Sequence, residues 1–199
     1  MKKICAFGPV DKRVLVYPLI KLLDLLGKTL VVTDDANFRK FGDSFELEFT
    51  HSRVDMFIMP VVTEEAMLER GIVESNYDNA LYITTTELVS ECDSYIYCHG
   101  LNKSMCSEEI VDGIDEIPCT EVIITPFKIP QSKEPSTQKT PTLKLDVGKE
   151  TLNYVFYCEE NKAFMPAKSI AVQNILAKAC EASLGLTAEN IGKMMAREE

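Results

Sequence analysis

The sequence predicts an α/β fold in which a mostly parallel sheet is flanked by helices. Three observations near the start of the chain favour it: a short apolar run (KICAF), an amphipathic stretch over about residues 14–26, and a β-rich run (KTLVVT). A strand, a helix and a second strand in such close succession require a right-handed crossover, which makes the two strands parallel. At 199 residues, the chain is expected to form a single α/β domain over residues 1–199.

The first predicted helix has a broad buried face with apolar residues spaced three to four apart. The residues on that face are Tyr17, Ile20, Leu23 and Leu26. Proline is tolerated in the first turn of a helix, so Pro18 predicts that the helix begins near Tyr17. Gly27 is the expected end.

Further short apolar runs predict the rest of the sheet. Strands are predicted at residues 45–49, 54–59, 80–84, 94–98 and 121–125. A hairpin turning at Gly148 and Lys149 is predicted over residues 143–147 and 152–157. Helices are predicted at residues 63–70, 107–112, 169–182 and 187–197. The Pro-rich, polar residues 129–142 predict an exposed loop.

Composition limits the partners and the compartment. The formal net charge of −10 disfavours sequence-independent binding to nucleic acid, so no direct nucleic-acid contact is expected. The seven cysteines are odd in number and form no CxxC pair, which fits a reducing environment better than a disulfide scaffold. No apolar run approaches the roughly 20 residues that span a bilayer. We therefore expect a cytoplasmic protein without a transmembrane segment.

The sequence GPVDKR joins the first predicted strand to the first helix, where nucleotide-binding folds hold phosphates. A phosphate-binding loop follows G-x-x-x-x-G-K-[ST], whose glycines let backbone N–H groups wrap the phosphates. Counted from Gly8, the second glycine, the lysine and the hydroxyl fall on Arg13, Val14 and Leu15, so three of the four defining residues are absent. Either Lys12 and Arg13 contact an anion at the helix N-terminus, or the turn carries two solvated cations.

Acidic residues follow the second predicted strand, at the sheet edge where open α/β folds place ligands. Asp34 and Asp35 either hold a cation or a ribose hydroxyl, or cap the following segment. Asp11 is a candidate to join them in space. Cys98 and His99 end another predicted strand, and we interpret them as a buried thiol beside a polar strand end. No His and Cys spacing predicts a metal site.

The order of these features resembles the ParA/MinD superfamily of deviant P-loop ATPases, which includes ATPase-like proteins of pilus assembly. Members begin with a strand, a phosphate loop, a helix and a strand ending near acidic residues, as KICAFG and KTLVVTDD do here. Later they carry a tyrosine–aspartate pair and an apolar strand ending in the Walker B aspartate. Here YDNALYITT stands in that place, with Ile83 at the aspartate position, and ECDSYIY follows as the second such segment. The resemblance covers residues 3–125.

The resemblance implies a P-loop NTPase-like, Rossmann-like three-layer fold. The candidate residues for an anion or nucleotide site are Gly8, Asp11, Lys12, Arg13, Asp34 and Asp35. Because both nucleotide motifs depart from the family, we expect no catalytic residues, no cofactor and no ATP hydrolysis. The expected function is a scaffold or adaptor that binds protein partners in a secretion, pilus, conjugation or partition assembly. The alternative is an ATPase or switch that binds ATP with magnesium through an unorthodox loop. Family members pair through the nucleotide, so without it a monomer or a differently built homodimer is expected.

Overall fold

A computed structural model describes residues 1–41, 47–86, 88–100, 117–125 and 142–196. The strands are β1 (Lys2–Phe7), β2 (Thr29–Thr33), β3 (Glu48–His51), β4 (Val54–Ile58), β5 (Asn79–Thr84), β6 (Ser94–His99), β7 (Cys119–Thr125) and β8 (Thr142–Asp146). Within these residues they form one eight-stranded sheet of order β3-β4-β2-β5-β1-β6-β7-β8. Neighbouring strands are parallel except for the antiparallel pair β3 and β4.

Helices cover both faces of this sheet. They are α1 (Arg13–Leu26), α2 (Glu64–Glu69), α3 (Lys149–Asn161), α4 (Ile170–Leu184) and α5 (Ala188–Ala196). Side chains of α1, α3, α4 and α5 share one hydrophobic cluster with one face of the sheet, and α2 contributes to the cluster on the opposite face. The predicted α/β architecture, a mostly parallel sheet flanked by helices in three layers, is therefore confirmed. Among the described residues, no helix is both long and apolar enough to cross a membrane.

From Ile4 to Phe7, the strand β1 is apolar because it is covered on both faces. Ile4 and Ala6 belong to the cluster on the α1 side, and Cys5 and Phe7 belong to the cluster on the α2 side. A parallel strand that is covered on both faces has no side for polar residues. The short run KICAF therefore places β1, and the loop that follows it, in the middle of the sheet.

Helix α1 begins at Arg13, four residues before the predicted start at Tyr17. Pro18 lies inside the helix, where its ring removes one backbone N–H donor. The carbonyl of Lys12 accepts the first helical hydrogen bonds, so the helix is already formed before the proline. Burial of almost every α1 side chain outweighs the proline's cost. The prediction from Pro18 alone was wrong for that reason.

The predicted hairpin at residues 143–157 was also wrong. Strand β8 lies parallel to β7, and the next element is the helix α3. Gly148 is the N-cap of this helix instead of the centre of a turn. The residues LNYVFY have high β propensity, but a helix over them places Val155 and Cys158 together against the core. Tertiary burial therefore decides the conformation.

Other predicted helix ends agree with the structure. Thr63 Oγ1 accepts a hydrogen bond from Ala66 N–H at 3.2 Å and caps α2, and Ser169 is the N-cap of α4. Gly185 ends α4 at a φ of 65°, a value that favours glycine. Strand β3 begins at Glu48, later than predicted. The predicted helix at residues 107–112 and nearly all of the predicted loop at residues 129–142 lie outside the described residues.

Candidate functional site at the carboxyl edge of the sheet

The loop GPVDKR lies at the carboxyl end of β1, between β5 and β6. Gly8 N–H donates to the carbonyl of Thr84 at 3.1 Å, which joins the ends of β1 and β5. Asp34 N–H donates to the carbonyl of Ile83 at 3.2 Å, which brings in the end of β2. Open α/β sheets bind ligands outside the carboxyl ends of their strands. The candidate residues therefore lie at the carboxyl edge of the sheet, where proteins of this fold class bind ligands.

Gly8 is required by the backbone around it. Its φ is 122°, and a Cβ atom built there would lie 2.0 Å from the carbonyl oxygen of Cys98 in β6. No other residue type fits so close to a neighbouring backbone. The glycine that looks like part of a phosphate loop therefore has a complete explanation in the packing of β1 against β6.

Few backbone donors of this loop can face a phosphate. Gly8 N–H is bonded to Thr84, and Pro9 has no N–H. Arg13 N–H donates to Asp11 Oδ1 at 3.1 Å. At most the three N–H groups of residues 10–12 are left for a ligand. A phosphate loop works through several such donors, so half of the usual cradle is missing.

The ammonium group of Lys12 occupies the inside of the loop. Its side chain is fully buried. Nζ donates to the carbonyl oxygen of Gly8 at 2.7 Å and to that of Val10 at 3.2 Å. It also lies 3.8 Å from Oδ2 of Asp35. A buried ammonium requires such partners, because burying an unpaired charge is very costly.

The loop can also be aligned with a phosphate loop by its lysine instead of by its first glycine. Lys12 is the N-cap of α1, whereas Val14 is a buried residue of the helix. In this second register Lys12 takes the lysine position, two residues before the position counted from Gly8. Asp11 then replaces the second glycine, and Arg13 replaces the magnesium-binding hydroxyl. The first glycine falls on Ala6, so the lysine is the one defining residue that this register keeps.

Arg13 is held by two carboxylates. Its Nε donates to Asp11 Oδ1 at 2.9 Å, and its two terminal nitrogens lie 2.6 Å from Asp11 Oδ2 and from Glu159 Oε1. The hydroxyl of Tyr17 donates to the same Glu159 oxygen at 3.0 Å. The hydrogen bond to Asp11 raises the pKa of Arg13. Burial raises the pKa of Tyr17 strongly, and the Glu159 charge adds to the effect. Both side chains therefore stay protonated.

Asp34 and Asp35 are engaged with the segment that follows them. Asp35 Oδ1 accepts from Asn37 N–H at 2.9 Å and caps the 3₁₀ helix Ala36–Lys40. Asp34 Oδ1 accepts from Thr85 N–H at 2.8 Å. Partial burial raises the pKa of Asp34, although the Thr85 hydrogen bond opposes the effect. The expected trio of Asp11, Asp34 and Asp35 does not surround a single point. Asp35 lies beside Lys12, whereas Asp11 pairs with Arg13.

The local charge balance is unfavourable for a phosphate. Two cations, Lys12 and Arg13, stand among carboxylates of Asp11, Asp34, Asp35 and Glu159. Ile83, which the sequence resemblance sets at the Walker B aspartate, is fully buried in the hydrophobic cluster that contains α1. It supplies no ligand to magnesium.

The second predicted feature, Cys98 and His99, is a buried polar strand end. His99 Nε2 lies 2.8 Å from Glu121 Oε1, and its ring stacks on Tyr97 at 5.0 Å. Burial raises the pKa of Cys98 to about 12, so the thiol is neutral near pH 7. His51 contacts Phe164 at a different place in the fold. Among the described residues, no group of three or more His, Cys, Asp or Glu side chains is arranged to hold a metal ion.

Sequence reasoning missed Glu159 and Tyr17. Glu159 lies 146 residues from Arg13 along the chain and belongs to the helix that was predicted as a strand. Tyr17 was predicted only as an apolar residue on the buried face of α1, so the hydrogen bond of its hydroxyl to Glu159 was not expected. Only the packing of α3 on α1 reveals their contact.

Comparison with known proteins identifies the architecture. No protein-family model matches the sequence, and no curated protein matches it. Solved structures with this fold include a plasmid partition protein from Borrelia burgdorferi bound to AMPPNP, which aligns over 100% of both chains with a TM-score of 0.56 and 13% identity. The MinD cell division protein of Aquifex aeolicus aligns over 90% of this chain and 95% of its own, with a TM-score of 0.60 and 12% identity. This chain has a ParA/MinD-like fold.

The likeness confirms the resemblance that the sequence predicts, including the P-loop NTPase-like arrangement of the sheet. At 12–13% identity it shows the fold alone. Because fold does not determine function, what the ParA/MinD-like loop of this chain can bind depends on its own residues.

Proposed function

We propose that this ParA/MinD-like protein is a pseudo-ATPase that acts as a scaffold or adaptor in a cytoplasmic macromolecular assembly. The observation that carries the proposal is the ion pair between Asp11 and Arg13. These residues occupy the glycine and hydroxyl positions on either side of Lys12. The pair puts a carboxylate and a guanidinium where a phosphate loop has a glycine and a hydroxyl.

Phosphoryl transfer depends on cations that neutralise the β- and γ-phosphates and on a magnesium ion held by the protein. A guanidinium at Arg13 cannot coordinate magnesium, which takes oxygen ligands. A carboxylate at Asp11 repels a phosphate instead of wrapping it. Since Ile83 provides no acid near the site either, three groups needed for hydrolysis are absent.

Binding of a triphosphate would also disturb the fold. A phosphate that bound Lys12 would displace the carbonyls of Gly8 and Val10, and one that bound Arg13 would displace Asp11 and Glu159. Breaking one partner out of a buried ion pair costs about 3–5 kcal/mol. The chain is therefore expected to fold and to bind its partners without nucleotide.

The kind of assembly is proposed from the architecture. Plasmid partition and cell division are the processes in which the two similar proteins act, by their names. A scaffold of this fold would present rigid helices on a nucleotide-independent frame. Partition, secretion, pilus and conjugation assemblies remain the proposed settings, with protein partners.

The test is a thermal-shift titration with ATP and with GTP, each with magnesium, alongside an ATP-turnover assay. We expect no shift and no turnover for the wild-type chain. A matched variant, Asp11→Gly with Arg13→Thr, rebuilds the glycine–lysine–hydroxyl sequence and reports whether the frame can still take a nucleotide. Turnover by the wild-type chain that disappears in Lys12→Met would overturn the proposal.

The second candidate is a nucleotide-binding switch. It is favoured by the position of Lys12, at the N-cap of α1 and inside the loop. The partition protein of similar fold binds AMPPNP. A ligand at about 100 times its Kd stabilises a protein by about 2.7 kcal/mol. A shift of that size with ATP and magnesium, without turnover, would favour the switch.

A further inference from the structure

The outward face of α3 exposes three large apolar side chains. Leu152 is 44% exposed, Phe156 is 54% exposed and Tyr157 is 52% exposed. On the opposite side of the helix, Val155 and Cys158 are buried in the cluster that contains α1. Single exposed apolar residues are common, but three on one face of a 13-residue helix form a patch.

The same face carries one charge near each end. Lys149 lies in the first turn of α3 and Glu160 lies in the last, and both are exposed. Their separation of 11 positions is close to three helical turns, so they lie on one side of the helix, about 16 Å apart along its axis. Asn153 and Phe156 lie between them on the same line.

We propose that two copies of this chain pair through antiparallel α3 helices, related by a two-fold axis that passes midway along the helix. In that arrangement Lys149 of each copy faces Glu160 of the other. Leu152 faces Tyr157 of the second copy, and Phe156 faces Asn153. The pairing buries all three exposed apolar side chains and closes one ion pair at each end.

Charge complementarity selects this occupant and this orientation. A parallel pair of α3 helices would set Lys149 against Lys149 and Glu160 against Glu160, with repulsion at both ends. Only an antiparallel copy matches each charge with its opposite, which is the self-complementarity that a two-fold interface requires. The chain as a whole carries a net charge of −10, so two copies need such a local match to approach.

The expected dimer is weak and independent of nucleotide. A helix of 13 residues is about 20 Å long, so one helical face buries less than the roughly 800 Å² per partner of a standard interface. Phe156, at the centre of the patch, is the residue expected to contribute most of the affinity. The interface uses the outer side of α3, whereas Glu159 on its inner side contacts Arg13. Pairing therefore leaves the loop unchanged.

The first test is sedimentation equilibrium of the full chain from about 10 μM to about 1 mM. We expect a concentration-dependent monomer–dimer equilibrium. Phe156→Glu should raise the dimer Kd at least about tenfold. The matched control is Leu68→Glu on α2, where the replaced side chain is 63% exposed and lies outside the patch. Circular dichroism of each variant checks that the fold is kept.

The second test determines whether the two α3 helices pair in the antiparallel orientation. Lys149→Glu and Glu160→Lys should each weaken the homodimer, because each sets like charges together at both ends. The double variant should restore it, and an equimolar mixture of the two single variants should form a heterodimer. A chain that stays monomeric at every concentration overturns the proposal and leaves a different protein as the occupant. A dimer that resists Phe156→Glu, or is not restored by the double variant, overturns it as well.

Discussion

Lys12 and Arg13 are adjacent buried cations, and the structure holds them in opposite ways. Lys12 is satisfied within its own loop, by carbonyl oxygens two and four residues away and by Asp35. Arg13 is satisfied partly by Glu159, which lies 146 residues away on α3. A phosphate at Lys12 would displace neutral carbonyls, whereas losing Glu159 would remove a contact that joins α1 to α3. Lys12 is therefore held at the edge of the sheet, whereas Arg13 joins two helices.

The largest expected effect comes from removing the contact between Arg13 and Glu159. Glu159→Ala leaves the Arg13 guanidinium with one carboxylate and removes the acceptor of the Tyr17 hydroxyl. We expect a loss of about 3 kcal/mol in the free energy of unfolding, at the low end for a broken buried pair because Asp11 remains. Urea unfolding at pH 7 measures it.

The control for that variant is Glu150→Ala, an exposed acid in the first turn of the same helix. It should change the stability by less than about 0.5 kcal/mol. In the double variant Arg13→Met with Glu159→Leu, much of the loss should be recovered, because no buried charge is left unpaired. Equal losses for Glu159→Ala and Glu150→Ala would mean that the Arg13 contact is not part of the core.

A smaller effect is expected from removing the ammonium group of Lys12. Lys12→Met keeps a side chain of similar length but removes the hydrogen bonds to Gly8 and Val10. We expect a loss of about 1–2 kcal/mol, since two carbonyl groups lose their donor. Lys2→Met, at an exposed position, is the control. A loss larger than that of Glu159→Ala would reverse the comparison, because Lys12 would then be the structural cation.

The sequence could predict features that depend on neighbouring residues, but not contacts between residues far apart in the chain. The apolar runs of β1 and β2 and the helix stop at Gly27 depend on local pattern, and the α/β frame followed from them. The Arg13–Glu159 contact depends on two elements brought together by packing, so no local pattern contains it. Residues 152–157 were mispredicted because β-forming aromatic residues also suit a helix that buries only one side.

Asp11→Asn tests the exposed end of the Arg13 pair. Partial burial alone would raise the pKa of Asp11, but hydrogen bonds from Arg13 outweigh it, so the folded pKa is lowered. A lowered pKa stabilises the fold above the unfolded value of about 3.9, and the gain is lost as pH falls through the folded pKa. Because the carboxylate is 46% exposed, we expect a loss below about 1 kcal/mol at pH 7.

The measurement for Asp11→Asn is urea unfolding over a pH series from 7 to about 3. The difference between variant and wild type should shrink towards the acid end. A difference that stays constant over this range would show that the Asp11 charge is not what holds Arg13.

Asp34→Asn should have the smallest effect, and in the opposite direction. Partial burial raises the pKa of Asp34, so the folded state favours the protonated acid. The charged form therefore destabilises the fold above the folded pKa, and the penalty disappears as pH falls through it. Asparagine keeps the oxygen that accepts from Thr85 N–H and removes the charge. We expect a gain of about 0.3 kcal/mol at pH 7 that vanishes in acid, measured by urea unfolding. A loss of more than about 1 kcal/mol would instead mean that Asp34 acts as a counter-ion to Lys12. The lysine would then be held by two acids, Asp34 and Asp35.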